Sequence, residues 1–166
     1  FLVPSSMLSS VSALGAQNFG AGKPERAVET LKYAIMIAVG FGLTVAVVIQ
    51  FAADPVVSLF TDNGTVIHSG GQYLRGYIWD CVFAGIHFSF SGYFCACQKT
   101  GLSFLHNITA IVLVRVPGVY LMSKLFSDTL YPMGLATAAG SLLSVIICVI
   151  AFTILLKKER ENKAFR

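Results

Sequence analysis

The sequence has little charge, and that charge is confined to short segments. Only 12% of its 166 residues are charged and 55% are hydrophobic, whereas a soluble domain carries about 25% charged residues. Three stretches, 1–22, 33–53 and 129–156, contain no Asp, Glu, Lys or Arg. Each is at least as long as the ~20 residues that a helix needs to cross the hydrocarbon core of a bilayer. The scarcity of charge excludes an ordinary soluble domain and indicates an all-α integral membrane protein.

Cysteine is also scarce, and its placement excludes two kinds of covalent or metal stabilisation. All four cysteines lie within apolar runs, which argues against a disulfide framework and against a zinc site. The net charge of +4 does not indicate nucleic-acid binding, because the basic residues flank apolar runs and form no patch interleaved with aromatics. We therefore expect no metal site, no resident cofactor and no nucleic-acid partner.

Turn signals divide the chain into five predicted membrane helices. These span about residues 1–19, 27–53, 71–97, 102–125 and 132–156. Asp54-Pro55 is expected to end the second helix, because a residue before proline avoids the α conformation. The chain opens on Phe1 with no polar anchor before the first apolar run. We interpret residues 1–156 as a polytopic bundle of one truncated and four complete transmembrane helices, followed by a basic tail at 157–166.

The distribution of basic residues predicts how the helices are oriented. If the helices alternate in direction, nine of the twelve basic residues fall on one side of the membrane. The nine are Lys23, Arg26, Lys32, Lys99, Lys157, Lys158, Arg160, Lys163 and Arg166. Basic residues are enriched on the cytoplasmic side of membrane proteins. We predict that this side, which includes the C-terminus, is the cytoplasmic side of a plasma (inner) membrane.

The third predicted helix carries a polar stripe, which is unexpected for a helix surrounded by lipid. At about 100° per residue, Tyr73, Asp80, His87, Ser91 and Gln98 lie close to one line along it. Asp80 is the only acidic residue inside an apolar run, and an intramembrane carboxylate is costly and by default functional. We predict a cation- or substrate-binding site at Asp80, His87 and Ser91. The alternatives are a structural ion pair for Asp80 and a packing role for His87.

A basic residue lies near the middle of the fourth predicted helix. At ~1.5 Å per residue, Asp80 is about 14 Å from Gly71 at the outer end of its helix, and Arg115 is about 15 Å from Leu125 at the outer end of the next. Antiparallel neighbours would hold these two charges at the same depth. We predict that they interact, directly or through water. Pro117 lacks an amide hydrogen and favours a kink just beyond Arg115.

The turn between the first two helices contains a dense motif. It reads Gln17-Asn18-Phe19-Gly20-Ala21-Gly22-Lys23-Pro24-Glu25-Arg26-Ala27. Gly20 and Gly22 allow positive φ angles and hence a tight turn, and Pro24 suits the first turn of a helix. Gln17 and Asn18 are amides that a plain turn would not need. This motif, above all Gln17, Asn18, Gly20, Gly22 and Arg26, resembles the signature in the C-terminal half of multidrug and toxic compound extrusion (MATE) transporters.

Further landmarks of that family occur in the expected order along the chain. They are Leu59-Phe60-Thr61, Tyr73-Leu74-Arg75, Ser91-Gly92-Tyr93, Lys99-Thr100 and Arg115-Val116-Pro117. The resemblance implies a partial C-terminal lobe, helices 8 to 12 of a twelve-helix transporter. It implies a cation-coupled antiporter, driven by Na⁺ or H⁺, that exports small organic and often cationic compounds by alternating access. The implied partners are the substrate, the lipid bilayer and the N-terminal lobe of the same protein.

Other functions remain open at this point. A lipid-linked oligosaccharide flippase of the same superfamily would carry several basic residues in its cleft, whereas here Arg115 alone lies mid-membrane. A structural membrane subunit without transport activity would have no reason to retain the stripe through Asp80. An intramembrane enzyme is disfavoured, because His87 and His106 fall on different predicted helices and no second acid accompanies them.

The predicted orientation can be tested by labelling single cysteines in a cysteine-free variant of the full-length protein. Lys99→Cys should react with a membrane-impermeant thiol reagent from the cytoplasmic side, because it lies on the side rich in basic residues. Asn63→Cys and Asp128→Cys should react from the opposite side. Labelling of positions 63 and 99 from the same side would contradict the topology.

Overall fold

The protein is built from long helices joined by short turns. The computed structural model describes the backbone of residues 1–164 and the side chains of residues 1–158. The elements are α1 (Leu2–Gly20), α2 (Pro24–Ser58), α3 (Gly64–Tyr77), α4 (Trp79–Ala96), α5 (Thr100–Ala110), a π-helical segment (Ile111–Arg115), α6 (Val116–Leu125) and α7 (Tyr131–Ala164). No strand occurs in the part of the chain that the structure describes. The predicted all-α architecture is confirmed.

Three of the described helices are long and apolar enough to cross a membrane. They are Pro24–Ser58, Thr100–Leu125 and Tyr131–Lys158. The remaining helices are more polar: α1 contains five serines, and α4 buries Asp80 and His87 together with two serines. Polar side chains are tolerated at membrane depth when they face other helices. The bundle is therefore a multi-pass membrane structure with a polar interior.

The second helix is longer than predicted at both ends. It begins at Pro24 and continues through Asp54 and Pro55 to Ser58, so the prediction that the proline ends it is wrong. The extra turn is held from outside the helix, because Arg75 Nη2 donates a hydrogen bond to Asp54 Oδ2 at 3.0 Å. The restriction on the residue before a proline is a tendency, and here Asp54 stays helical while its side chain contacts Arg75 of α3.

The third predicted helix is divided into two. α3 begins seven residues before the predicted start at 71, because the side chain of Asn63 caps it and accepts hydrogen bonds from the amides of Thr65 and Val66 at 3.0 and 3.4 Å. Ile78, whose φ is −60° and ψ −25°, separates α3 from α4. Its backbone is still helical, so the two helices form one polar rod with a local irregularity just before Asp80.

The last two predicted helices are also longer than expected. α5 begins at Thr100 rather than 102, and α7 runs from Tyr131 to Ala164 rather than from 132 to 156. Residues 157–164 of the predicted basic tail therefore continue the backbone of α7. Positions 165 and 166 of that tail lie outside the described residues.

The centre of the bundle is α4. Four helices pack against it, namely α1, α2, α5 and α7, and 12 of its 18 residues are buried. Small residues allow the close approach: a Cβ atom on Gly85 would lie 2.8 Å from Cβ of Ala38 in α2. In a membrane, helix packing of this kind is driven by van der Waals contact between helix backbones that small residues bring close together. As a result, the polar stripe of α4 faces other helices instead of lipid.

Aromatic packing fixes the end of α4 that lies farthest from Asp80. Phe152 of α7 contacts Phe90 and Tyr93 edge-on, with ring centroids 5.5 and 5.2 Å apart. Phe19 of α1 packs on the other side of Tyr93, with centroids 5.8 Å apart. Edge-on pairs of this kind add about 0.5–1.5 kcal/mol beyond the burial of their area. This end is apolar, whereas the opposite end of α4 depends on polar contacts.

Two glycines on α2 provide a matched test of the packing between α2 and α4. A Cβ atom on Gly42 would lie 3.1 Å from Cα of Val82, whereas one on Gly40 would meet nothing within 4 Å. We expect Gly42→Leu to lower stability by more than about 1–3 kcal/mol, the usual cost of overpacking, because the clash is with backbone. Gly40→Leu should be tolerated. Thermal unfolding of the detergent-solubilised variants measures both, and equal melting temperatures would contradict the described α2–α4 interface.

Candidate functional site

The two mid-membrane charges form a buried ion pair. Arg115 Nη2 lies 3.0 Å from Asp80 Oδ1 and 3.1 Å from Oδ2, and it donates a third hydrogen bond to Ser141 Oγ at 2.7 Å. Asp80 is 0% exposed, whereas the side chain of Arg115 is 33% exposed. The predicted contact between Asp80 and Arg115 is therefore present. The carboxylate of Asp80 is fully enclosed, and the partly exposed guanidinium of Arg115 covers it on one side.

Local backbone features place the two charges opposite each other. Asp80 lies in the first turn of α4, just beyond the irregularity at Ile78. Arg115 is the last residue of the π-helical segment, which ends two residues before Pro117. Single π turns inside α-helices are rare and often occur at functional sites. Pro117 contributes no amide hydrogen to the helix, and the π-helical segment lies just before it.

A glycine on α7 makes room for the arginine. A Cβ atom on Gly140 would lie 2.8 Å from Cγ of Arg115 and 3.4 Å from its Nε. The aliphatic stem of Arg115 therefore lies directly against the backbone of α7. This contact aims the guanidinium at Asp80 and at Ser141, the residue that follows Gly140.

The other predicted site residues lie deeper along the same face of α4. His87 and Ser91 are buried, with 4% and 2% of their surface exposed. Ser91 Oγ lies 2.8 Å from His106 Nε2, and Ser144 Oγ lies 3.3 Å from His106 Nδ1. The rings of His87 and His106 meet edge-on, with centroids 5.6 Å apart. The two histidines lie on different helices, as predicted, and the packing of α5 against α4 brings their rings together.

His87 is the exception in this otherwise hydrogen-bonded cluster. Its Nδ1 atom is buried and has no hydrogen-bond partner among the described residues. A buried polar atom without a partner costs roughly 1–3 kcal/mol, so such an atom is usually explained by a ligand, water or a catalytic role. The His87 ring borders a cavity of about 70 Å³.

That cavity, here called the inner cavity, connects the histidine cluster with the ion pair. Its walls include His87, Asn107, Arg115, Ser141 and Ser144. A volume of this size can hold more than one water molecule. Asp80 does not line it and lies behind Arg115 and Ser141. Arg115 both lines the cavity and bonds to Asp80, so its guanidinium links the cavity to the buried carboxylate.

The glycine-containing motif lies elsewhere in the molecule. Phe19 contacts Tyr93 at the end of α4 opposite Asp80, so the motif is not part of the ion-pair site. Gln17 and Arg26 are exposed, and Asn18 Nδ2 donates to the carbonyl of Leu14 at 2.8 Å. The motif therefore combines a helix-end contact with exposed side chains.

Of the two motif glycines, only Gly22 has a positive φ angle, 68°. A Cβ atom on Gly20 would meet nothing within 4 Å, so neither backbone geometry nor space explains a glycine there. The same turn occurs again after α4, where Gln98 takes the left-handed position with φ of 58°. In both turns the next residue, Lys23 or Lys99, donates its amide to a carbonyl five residues earlier, at 2.9 and 2.8 Å.

The sequence predicted the ion pair between Asp80 and Arg115, but it did not predict which residues of α5 and α7 surround it. Ser141 and Ser144 are buried hydrogen-bond partners on α7, and their three-residue spacing is the signal that could have identified them, since it places both on one helix face. His106 offered no comparable signal. Across the described residues no group of three or more His, Cys, Asp or Glu side chains could hold a metal ion. The functional roles of Asp80, His87 and Ser91 stay predictions.

Comparisons with known proteins identify a family model that matches the chain and a protein that is similar to it. A family model described as MatE matches residues 1–121. A protein of Shewanella oneidensis named FAD transporter is 28% identical over 149 residues, which cover 89% of this chain and 32% of that relative. The chain therefore spans about a third of the length of this relative. No solved structure matches the chain significantly.

The ion pair can be tested by removing one charge and then both. Arg115→Ala should cost about 3–5 kcal/mol, because it leaves the enclosed carboxylate of Asp80 without its partner. Adding Asp80→Asn to that variant should recover much of the loss, because an amide carries no charge to compensate. Thermal unfolding in detergent measures both changes.

Arg75→Ala is the control, since Arg75 pairs with Asp54 near the end of α2, where the Asp54 side chain is 40% exposed. Its effect should be smaller, because partly exposed pairs contribute little. Strict additivity of the Asp80 and Arg115 substitutions would show that the two charges are independent.

Proposed function

The chain belongs to the MatE family of membrane transporters, and from this we propose that it forms part of a cation-coupled antiporter. The proposed cargo is a small organic compound, cationic in the simplest case, and the coupling ion is Na⁺ or H⁺. Because the chain covers 32% of its Shewanella oneidensis relative, the activity proposed is that of the complete protein, with an N-terminal lobe opposite this one. We place it in the plasma (inner) membrane with its C-terminus in the cytoplasm.

The observation that carries this proposal is the enclosed carboxylate of Asp80. It is 0% exposed and its compensating cation, Arg115, lies 3.0 Å away beside a cavity lined by polar and apolar side chains. Charged groups at membrane depth are expensive and mark ion or substrate pathways. Secondary transporters place such sites near the middle of the bilayer. A purely structural role would be served equally well by two apolar side chains, which often stabilise more than a buried ion pair does.

Competition for one carboxylate supplies the exchange. Asp80 can be neutralised by the guanidinium of Arg115, by a bound coupling cation or proton, or by a cationic substrate. Whichever cation binds displaces the guanidinium, and two cations do not share the same enclosed carboxylate. Binding of the coupling ion on one side of the membrane therefore releases the substrate there, and the substrate replaces the ion on the other side. When neither the coupling ion nor the substrate is bound, Arg115 neutralises the charge of Asp80.

A second candidate cargo is a flavin nucleotide. The relative from Shewanella oneidensis carries the name FAD transporter, and Arg115 offers a positive group to the inner cavity. A lipid-linked oligosaccharide flippase has less support, because its pyrophosphate head would be expected to meet several basic residues and Arg115 is the one mid-membrane basic residue in the described chain. A structural membrane subunit is disfavoured by the enclosed carboxylate of Asp80. Efflux assays with a cationic dye and with FAD distinguish the two cargoes.

The proposed function predicts that Asp80→Asn abolishes ion-driven efflux. The full-length protein is reconstituted in vesicles, and release of substrate is followed after an imposed Na⁺ or pH gradient. Efflux by Asp80→Asn should fall to background while expression and insertion are preserved, because the amide of Asn is isosteric but cannot bind a cation by charge. The gradient that drives the parent protein identifies its coupling ion.

Asp62→Asn is the matched control, since Asp62 is an exposed acid in the turn before α3. It should transport at the parent rate. Parent-level gradient-driven efflux by Asp80→Asn would assign Asp80 a structural role and remove the basis of the antiporter mechanism.

A further inference from the structure

The helix that carries Arg115 also has a polar stripe of its own. Thr100, Ser103 and Asn107 follow one another at helical spacing along α5, and Ile111 continues the line toward Arg115. Thr100 and Asn107 are exposed in the bundle. Polar side chains at this spacing face water or other polar groups rather than lipid. The stripe runs from the Lys99 turn to the buried ion pair.

A second concave space follows this stripe. It is a groove of about 390 Å³, here called the outer groove, and it lies at the start of α5 beside the end of α4. Its polar lining comes from Thr100, Ser103 and Asn107, and the rest of its wall is apolar, formed by Cys95, Phe104, Ile108 and Ile111. The outer groove begins at the turn that contains Lys99, on the side predicted to be cytoplasmic.

The outer groove and the inner cavity meet at two shared residues. Asn107 and Ile111 line both spaces. Ile111 is the first residue of the π-helical segment, so the wall between the two spaces stands where the helix is widened. Beyond it lies the exposed part of Arg115, a polar group for which water or an ion is the expected partner.

The geometry points to a water-filled route along α5, which leads from the Lys99 end through the outer groove and the inner cavity to Arg115. This route gives the coupling cation access to Asp80, with Asn107 and Ile111 as its narrowest part. The inference rests on the proposed function for what the route delivers, but its existence is independent of transport. In the membrane, water occupies the polar side of α5 and lipid covers the other side.

Cysteine reactivity separates these two sides of the same helix. In the cysteine-free, full-length protein, Asn107→Cys and Ile111→Cys should react from the Lys99 side with a membrane-impermeant methanethiosulfonate. Val112→Cys is the control, because Val112 neighbours Ile111 and is 56% exposed but lines neither space. Val112→Cys should react at least about tenfold more slowly than Asn107→Cys and Ile111→Cys, because a thiol surrounded by apolar groups stays protonated and unreactive.

Widening the wall supplies the second measurement. Ile111→Ala should accelerate labelling of a cysteine at Ser144, deep in the inner cavity, about tenfold, because it removes the side chain that separates this cavity from the groove. Labelling after denaturation and the melting temperature identify variants that fail to fold. If Ser144→Cys does not fold, the comparison of positions 107, 111 and 112 decides alone.

The possible results divide cleanly between the route and the proposed function. Equal reactivity at positions 111 and 112, or an unreactive Asn107→Cys, overturns the route. Reactivity from the side opposite Lys99 overturns it as well. The expected labelling pattern together with parent-level efflux by Asp80→Asn would keep the route and overturn the antiporter mechanism. Loss of efflux in that variant without the labelling pattern would do the reverse.

Discussion

The enclosed carboxylate of Asp80 constrains the structure more than any other group. A single charge at the centre of a membrane helix costs at least about 2.5–3.5 kcal/mol on insertion scales, so its compensation has to be built into the bundle. Arg115 provides it at 3.0 Å, and Ser141 holds the same guanidinium nitrogen at 2.7 Å. These two contacts join α4, the π-helical segment and α7. The packing of those elements is thereby tied to one electrostatic requirement.

Small residues allow this requirement to be met inside a bundle of long apolar helices. Gly85 brings α2 against α4, and Gly140 brings the stem of Arg115 against α7. Without a hydrophobic driving force between helices in lipid, such close contacts are the main source of their association. The polar side chains of neighbouring helices then lie close enough to contact one another. Aromatic packing at the far end of α4 keeps the helices aligned while the polar end carries the exchangeable contacts.

The depth of the two charged residues along their helices could be predicted from the sequence, but the rotation of each helix about its own axis could not. The rise of a helix is nearly constant, so counting residues from Gly71 and Leu125 placed Asp80 and Arg115 at the same level, as the structure has them. Which residues of α5 and α7 face α4 depends on helix packing and on the π-helical segment, so His106 and Ser144 were missed. α2 continues beyond Pro55, and the ion pair beside that proline, between Asp54 and Arg75, joins two different helices. Local rules cannot include a contact made by another helix.

The π-helical segment also determines how the site responds to a change in the number of residues. Five residues, Ile111–Arg115, adopt π geometry, and a helix of this kind accommodates an extra residue within an otherwise regular α-helix. Deleting one residue between 111 and 114 would therefore allow a continuous α-helix and leave the helix on either side close to its present orientation. Deleting one residue from the regular α-helix before it would instead rotate Arg115 by about 100° away from Asp80. Within this helix, the π-helical segment is thus the place where the chain can change its length and keep its charge pair.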